Sequence, residues 1–131
     1  MKLILLLTLS LLAMVSPARA ADQPAADRAR EGKLNHVVAF KFKEDANRSQ
    51  IEAVEKAFAD LPKKIKVIQD FEWGTNVSPE KLDKGFTHGF ILTFKTAADR
   101  DAYLVHPDHK AFGAIVGPVL ADVFVIDFWA K

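Results

Sequence analysis

Hydrophobic and polar residues alternate along several short stretches of the chain, which is the pattern of β-strands. The alternation is clearest over residues 86–95, where one side of the predicted strand carries mainly phenylalanine and leucine and the other carries smaller or polar residues. Three more strands are predicted over residues 34–43, 65–74 and 123–129. The last of these is apolar on both sides except at Asp127.

Between the first two strands, apolar residues recur every three or four positions, which is the period of a helix with one buried face. This helix is predicted over residues 45–61, with Asn47 or Asp45 as its N-cap and Pro62 as its terminating residue. Its buried positions are Ile51, Val54, Phe58 and Leu61.

The segment before the last strand predicts two short helices, over residues 96–104 and 108–116, separated by the pair His106-Pro107. Thr96 and Asp108 are their predicted N-caps. The order of elements is therefore βαββαβ. That order is typical of an α+β, ferredoxin-like fold, in which a four-stranded antiparallel sheet carries its helices on one face.

The two faces of this sheet differ in a way that predicts a partner. The face formed by Phe86, His88, Phe90, Leu92 and Phe94 is expected to pack on the helices. The opposite face still offers apolar, smaller residues, among them Val37, Ala39, Ile91 and half of the last strand. An apolar patch of this size is unusual on a soluble monomer, so the same face of a second copy is its expected cover. The alternative is a monomer with a modestly apolar face.

Residues 1–20 have the pattern of a signal peptide, with one lysine, an apolar run over residues 3–15 and a small-x-small ending at Ala18-Arg19-Ala20. The alternative is a membrane anchor, but the run is shorter than the roughly 20 residues that span a bilayer. The sequence thus predicts export, to the periplasm or the medium, and no membrane attachment after cleavage. Residues 21–33 are predicted to be a flexible lead and residues 34–131 the folded domain.

Composition narrows the function classes. The chain has 131 residues, a net charge of +1 and no cysteine, which excludes disulfides, cysteine-ligated metals and a cysteine nucleophile. Removal of residues 1–20 takes away two basic side chains and no acidic one, so the net charge becomes −1. This balance argues against a nucleic-acid partner. Glycine-rich phosphate loops and G-x-S-x-G nucleophile elbows are absent from the sequence.

Five polar residues stand in places predicted to be apolar: His36, His88, Tyr103, His109 and Asp127. They predict one of three arrangements. The first is a structural hydrogen-bond network in which Asp127 accepts from His109. The second is an acid/base site in which His109 is the base, Asp127 orients it and Tyr103 stabilises an oxyanion. The third is a metal site, for which the spacing is poor because Pro107 interrupts His106-x-x-His109. No metal and no cofactor are predicted.

Several segments together resemble the stress-responsive A/B barrel (Dabb) family. They are HVVAFKFK (36–43), FEWGTNVSPE (71–80), GFTHGFILTF (85–94), DRDAYLVHPDHKAF (99–112) and DVFVIDFW (122–129). The resemblance implies a dimeric α/β barrel in which two ferredoxin-like protomers pair their sheets. It also implies that the tyrosine–histidine pair of a plant polyketide cyclase on this scaffold falls on Tyr103 and His109. That enzyme's supporting aspartate falls on Asp127, and two pocket histidines fall on His36 and His88.

These observations lead to one main hypothesis and two alternatives. The main one is an exported homodimer of the Dabb family, with a stress-related role and a pocket between sheet and helices for a small apolar carbonyl or phenolic compound. The first alternative is an enzyme of the cyclase, lyase or isomerase type that uses His109 and Tyr103. The second is a haem- or metal-binding protein related to the monooxygenases of the same superfold.

Overall fold

A computed structural model describes residues 32–131. The predicted signal peptide and nearly all of the predicted lead lie outside the described residues. The described chain forms the elements β1 (Leu34–Phe42), α1 (Arg48–Lys64), β2 (Asp70–Thr75), β3 (His88–Phe94), α2 (Ala97–Val105), α3 (Pro107–Val116) and β4 (Leu120–Trp129), with a 3₁₀ turn (Gly117–Val119) before β4.

The sheet has the strand order β2-β3-β1-β4, and every neighbouring pair is antiparallel. The predicted ferredoxin-like α+β fold, with one four-stranded antiparallel sheet, is confirmed. β1 and β3 are the central strands and alternate between buried and more accessible residues, except at Phe42, the last residue of β1. β4 is an edge strand, and most of its residues are exposed on both faces.

The core lies between the helices and one face of the sheet, as the alternation predicted. Phe58 of α1 stacks on Phe90 of β3 with their ring centroids 4.4 Å apart, and Phe112 of α3 lies 4.5 Å from Phe58. Phe40 of β1 closes the cluster at 5.0 Å from Phe90. Aromatic contacts at these distances add to the stabilisation from apolar burial. The helices therefore lie on the phenylalanine-rich face.

The opposite face is open and apolar in the described structure, with Ile91, Phe124, Ile126 and Phe128 exposed. The expectation of smaller side chains holds for β1 and β3 but is wrong for β4, which contributes two phenylalanines. Ala39 pairs with Gly89, which pairs with Gly74, so three small residues cross β1, β3 and β2 at one level. The open face is therefore shallow beside β2 and raised along β4.

The first helix begins as predicted but ends later. The Asn47 side chain accepts from the backbone N–H of Gln50, and the Gln50 side chain accepts from the backbone N–H of Asn47, which completes a capping box. Pro62 was expected to end this helix, yet the helix runs to Lys64. Pro62 lies in the last turn, where its missing N–H removes one helical hydrogen bond, while Ile65 still donates to the Leu61 carbonyl at 2.8 Å.

The third helix begins one residue earlier than predicted, and its cap is His106 instead of Asp108. Nδ1 of His106 accepts from the backbone N–H of Asp108 at 3.1 Å. Pro107 occupies the first helical position, where its fixed φ fits the helix and its missing N–H is not needed. The pair His106-Pro107 therefore separates the helices as predicted and also starts the second of them.

The starts of three strands also differ from the prediction, and that of β4 lies at Leu120, three residues before the predicted one. β2 begins at Asp70 because Ile65 and Ile68, which suggested a strand, are buried in the connection from α1. β3 begins at His88 because Lys84 and Gly85 have positive φ, which interrupts the alternation. Phe86 consequently lies on the side of the open face, 6.4 Å from Phe124, and not among the core phenylalanines.

Candidate functional site

A cavity of about 490 Å³ lies between the helices and the β1–β4 side of the sheet. This volume is within the range of small-molecule pockets, roughly 300–1,000 Å³. Val123 and Val125 of β4 face the helices yet are 48% and 47% exposed, because the helices do not reach over this edge strand. The cavity therefore opens beside β4. Most of its lining is apolar, and its polar side chains are His36, Tyr103, His109 and Asp127.

Tyr103 of α2 lies in the wall of this cavity and is only 1% exposed. Its ring packs 5.3 Å from that of Phe94 and 4.3 Å from that of His109. Its hydroxyl has no hydrogen-bond partner among residues 32–131, and in the same range no fully buried side-chain oxygen or nitrogen lacks a partner. The hydroxyl therefore borders the cavity. Burial raises the pKa of Tyr103 well above its ordinary value, so the phenol is a hydrogen-bond donor at neutral pH.

His109 lies in the first turn of α3 and presents a ring nitrogen without a partner among the described residues. Its Nδ1 lies 3.1 Å from the carbonyl oxygen of Leu104, and a carbonyl only accepts, so Nδ1 carries the proton. Desolvation by burial lowers the pKa of His109, and the charges of His36 and His106 add to this, against the opposing Leu104 hydrogen bond. The ring is therefore neutral at pH 7, and Nε2 holds a lone pair.

Asp127 pairs with His36 and not with His109. His36 and Asp127 are direct cross-strand partners on β1 and β4, and His36 Nδ1 lies 2.6 Å from Asp127 Oδ1. The expected bond from His109 to Asp127 was wrong, because the Leu104 carbonyl already accepts from Nδ1 of His109. His36 is 5% exposed, and its ring centroid lies 5.8 Å from that of Tyr103.

Arg100 is a part of this site that the sequence interpretation did not include. Its Nη1 forms an ion pair with Oδ2 of Asp127, and its Nε donates to Asp101 Oδ1 at 2.7 Å. Arg100 precedes Tyr103 by three residues, which places both on the same side of α2. That spacing is the signal that could have identified it.

His88 is not brought to this cavity, although its side chain is buried on the same face of the sheet. Its Nε2 lies 2.9 Å from Glu55 Oε1 of α1, and its Nδ1 lies 2.8 Å from Thr87 Oγ1. The Trp73 ring lies parallel to it at 6.3 Å. The expectation that His88 lines the same cavity as Tyr103 is thus corrected: both of its nitrogens already have protein partners.

Within residues 32–131, no three His, Asp or Glu side chains are grouped so that they could hold a metal ion. In the same part of the chain, no helix combines the length with the apolar composition that crossing a bilayer requires.

Comparison with known sequences identifies relatives over nearly all of the described chain. The family model of the Stress Responsive A/B Barrel Domain (Dabb) matches residues 34–130. The stress-response A/B barrel domain-containing protein HS1 of Arabidopsis thaliana is 36% identical over 98 residues, which cover 75% of this chain and 90% of that protein. Olivetolic acid cyclase of Cannabis sativa is 26% identical over 95 residues, covering 72% of this chain and 94% of the enzyme.

A solved structure with a similar fold is that of a dimeric ferredoxin-like protein of unknown function from Thermobifida fusca. The two chains superpose with a TM-score of 0.66 at 25% sequence identity, over 76% of this chain and 93% of the other.

Proposed function

The chain belongs to the stress-responsive A/B barrel domain family, and we propose that it is an exported homodimer that binds a small, largely apolar carbonyl or phenolic compound. One observation carries this proposal. In an apolar cavity of about 490 Å³, the Tyr103 hydroxyl and Nε2 of His109 have no hydrogen-bond partner among the described residues. Free polar groups in an apolar cavity are the usual sign of a ligand site.

The chemistry of these groups supports the choice of ligand. The Tyr103 phenol donates, so it fits a carbonyl oxygen. Nε2 of the neutral His109 accepts, so it fits a hydroxyl group. Neither lysine nor arginine is among the described residues that line the cavity, so nothing there balances the charge of a carboxylate. A neutral ligand with an apolar body is the better match.

The homodimer is supported by the open sheet face and by the dimeric structural relative. Ile91, Phe124, Ile126 and Phe128 would otherwise remain in water. A second copy that packs through the same face would bury them on both protomers.

Export is proposed from residues 1–20 alone, with cleavage after Ala20 and a mature protein in the periplasm or the medium. Mass spectrometry of the protein from the culture medium or from a periplasmic fraction tests this proposal. A mature N-terminus at Ala21 is expected, and a retained Met1 would contradict it.

A stress-related role is proposed from the name of the plant relative. Survival of cells that lack the protein after heat or oxidative challenge tests that role.

The binding proposal is tested by native mass spectrometry of the purified mature protein and by calorimetric titration with 4-hydroxyacetophenone, which carries one hydroxyl and one carbonyl. We expect saturable binding that weakens in His109→Ala. Lys110→Ala is the matched control, because Lys110 is the exposed neighbour on the same helix. Equal affinity in His109→Ala and the wild type would contradict the proposal.

The alternative function is that of a cyclase-, lyase- or isomerase-type enzyme, which the contact between His109 and Tyr103 favours. Nε2 of His109 would take the proton from the carbon next to a carbonyl group. The bonding pair would move onto the carbonyl oxygen, and the Tyr103 hydroxyl would stabilise the resulting enolate by a hydrogen bond. The relative named olivetolic acid cyclase supports this alternative.

Deuterium exchange separates the two functions. In D₂O, an enzyme of this kind would exchange the methyl protons of 4-hydroxyacetophenone faster than buffer does, and His109→Gln would abolish the excess rate. Binding without any excess exchange would leave the binding protein as the better description.

A further inference from the structure

A chain of two interactions lies at the side of the cavity: Arg100 forms an ion pair with Asp127, and Asp127 is hydrogen-bonded to His36. We propose that Arg100 and Asp127 hold His36 in one tautomer, with its Nε2 lone pair facing the cavity, so that His36 is a second acceptor for the ligand beside His109. The ligand part of this inference rests on the proposed function. The tautomer does not, because it is a property of the ligand-free protein.

The tautomer follows from the partner of each nitrogen. Oδ1 of Asp127 lies 2.6 Å from Nδ1 of His36, and Oδ2 of Asp127 is paired with the Arg100 guanidinium. A carboxylate that faces an arginine is ionised and can only accept. In the neutral form of the His36 ring the proton is therefore on Nδ1, and Nε2 has the lone pair.

The free nitrogen of His36 borders the cavity. His36 is among the lining residues, and its side-chain hydrogen bond within residues 32–131 is made by Nδ1 and not by Nε2. Because no fully buried side-chain nitrogen in that range lacks a partner, Nε2 is reached from the cavity. The ring of Tyr103, which also lines the cavity, lies next to that of His36, with the two centroids 5.8 Å apart.

Arg100 acts through Asp127 and is a positioning residue, since it does not line the cavity. It is itself held by Asp101, which accepts from Nε at 2.7 Å. Without Arg100, Oδ2 of Asp127 would lose its partner, and the carboxylate would be free to rotate and to turn away from His36. Asp127 is three-quarters buried at its side chain, so the guanidinium also balances a charge that water reaches only in part.

This arrangement narrows the ligand class of the proposed function. The cavity then presents two acceptors, Nε2 of His36 and Nε2 of His109, and one donor, the Tyr103 hydroxyl. A complementary ligand has two hydroxyl or enol donors and one carbonyl acceptor on an apolar frame. A compound with a single hydroxyl satisfies only one of the two imidazoles and binds more weakly.

The tautomer is tested by long-range ¹H–¹⁵N correlation spectra of the histidine rings in the purified, ligand-free mature protein at pH 8, with His36→Gln to assign the signals. We expect a protonated Nδ1 and an unprotonated Nε2 for His36. His88 is an internal reference of the opposite kind, because its Nε2 donates to Glu55. A proton on Nε2 of the neutral His36 ring in the wild-type protein would by itself overturn the proposal.

Two variants test the roles of Arg100 and Asp127. Arg100→Gln and Asp127→Asn should convert the His36 signals to those of a tautomer mixture, while His88 and His109 keep theirs. Arg100→Lys retains the cation and should keep the wild-type signals of His36. If both Arg100→Gln and Asp127→Asn leave His36 unchanged, the positioning role is wrong.

The ligand part is tested by titration with 3,5-dihydroxyacetophenone, which has two hydroxyls and one carbonyl. Its addition should move the Nε2 signals of both His36 and His109, and Arg100→Gln should weaken its binding on the order of tenfold, the effect of one lost hydrogen bond. 4-Methoxyacetophenone, which has no hydroxyl, should move neither signal. If the His36 tautomer is as proposed and no probe binds, the proposed function fails while the positioning of His36 stands.

Discussion

His36 and Asp127 face each other across β1 and β4 and are joined by a hydrogen bond of 2.6 Å between Nδ1 and Oδ1. Both side chains lie beside the cavity and are mostly buried. A hydrogen bond to a charged group in such a place contributes to stability, and removing one partner leaves the other without its acceptor or donor. The pair therefore stabilises the fold and shapes the site at the same time.

We predict that Asp127→Ala lowers the free energy of unfolding by about 1–3 kcal/mol, because it removes the acceptor of both His36 and Arg100. Urea unfolding at fixed protein concentration measures the change. Asp60→Ala is the control: Asp60 pairs with Lys63 in an exposed ion pair on the outside of α1, so its loss should change the free energy of unfolding much less. Equal losses in the two variants would contradict this reading of Asp127.

We predict that Tyr103→Phe leaves the stability nearly unchanged but weakens ligand binding. The substitution removes only a hydroxyl that has no partner among the described residues, and the ring contacts with Phe94 and His109 remain. Thermal unfolding and calorimetric titration of the same preparation measure both effects. A loss of more than about 1 kcal/mol of stability with unchanged affinity would mean that the hydroxyl has a structural partner.

We predict that acid destabilises the protein partly through His109. Burial lowers its pKa in the folded protein, so below the ordinary histidine pKa of about 6.5 the unfolded chain binds the proton more readily. The stability contributed by the neutral ring is present above about pH 6.5 and is lost as the pH falls from there through the lower pKa of the folded state. Urea midpoints between pH 8 and pH 5 should therefore fall less steeply for His109→Gln than for the wild type. Parallel curves for the two proteins would refute the assignment.

We predict that Ile91→Glu converts the proposed dimer into a monomer, because Ile91 lies on a central strand of the open face. In the proposed interface, a glutamate buried on each protomer would have no counter-charge. Size-exclusion chromatography with light scattering gives the mass. Ile115→Glu is the matched control, since Ile115 is also exposed but lies on α3, on the other side of the sheet. The interface is misplaced if both variants remain dimers, or if the Ile115 variant alone dissociates.

The fold was predictable because two periods of hydrophobic residues specify which side of each element is buried. The predicted boundaries of helices and strands were wrong where one residue type is compatible with two kinds of structure. Pro62 usually ends a helix, but a buried Leu61 before it keeps the last turn in place. Ile65 and Ile68 are as apolar as strand residues, yet they fill the core from a connection.

The members of the site were more predictable than their pairing. Polar residues in apolar positions indicated His36, Tyr103, His109 and Asp127, and the structure brings these four to one cavity. Asp127 pairs with His36 and not with His109 because of the register between β1 and β4 and because the Leu104 carbonyl accepts from His109. A pattern of residue types along the chain predicts neither of these contacts. His88 and Arg100 were misjudged for the same reason, since their partners Glu55 and Asp127 are distant in the sequence.

The edge strand β4 contributes two kinds of side chain to the cavity. Asp127 holds His36, whereas Val123 and Val125 only limit the space, and the unpartnered hydrogen-bonding atoms come from β1, α2 and α3. Exchange of these valines for larger or smaller apolar residues changes the shape that the site accepts and breaks no hydrogen bond. Evolution can thus diversify the ligands of this scaffold through two positions of the edge strand, while the chemistry of the site is inherited intact.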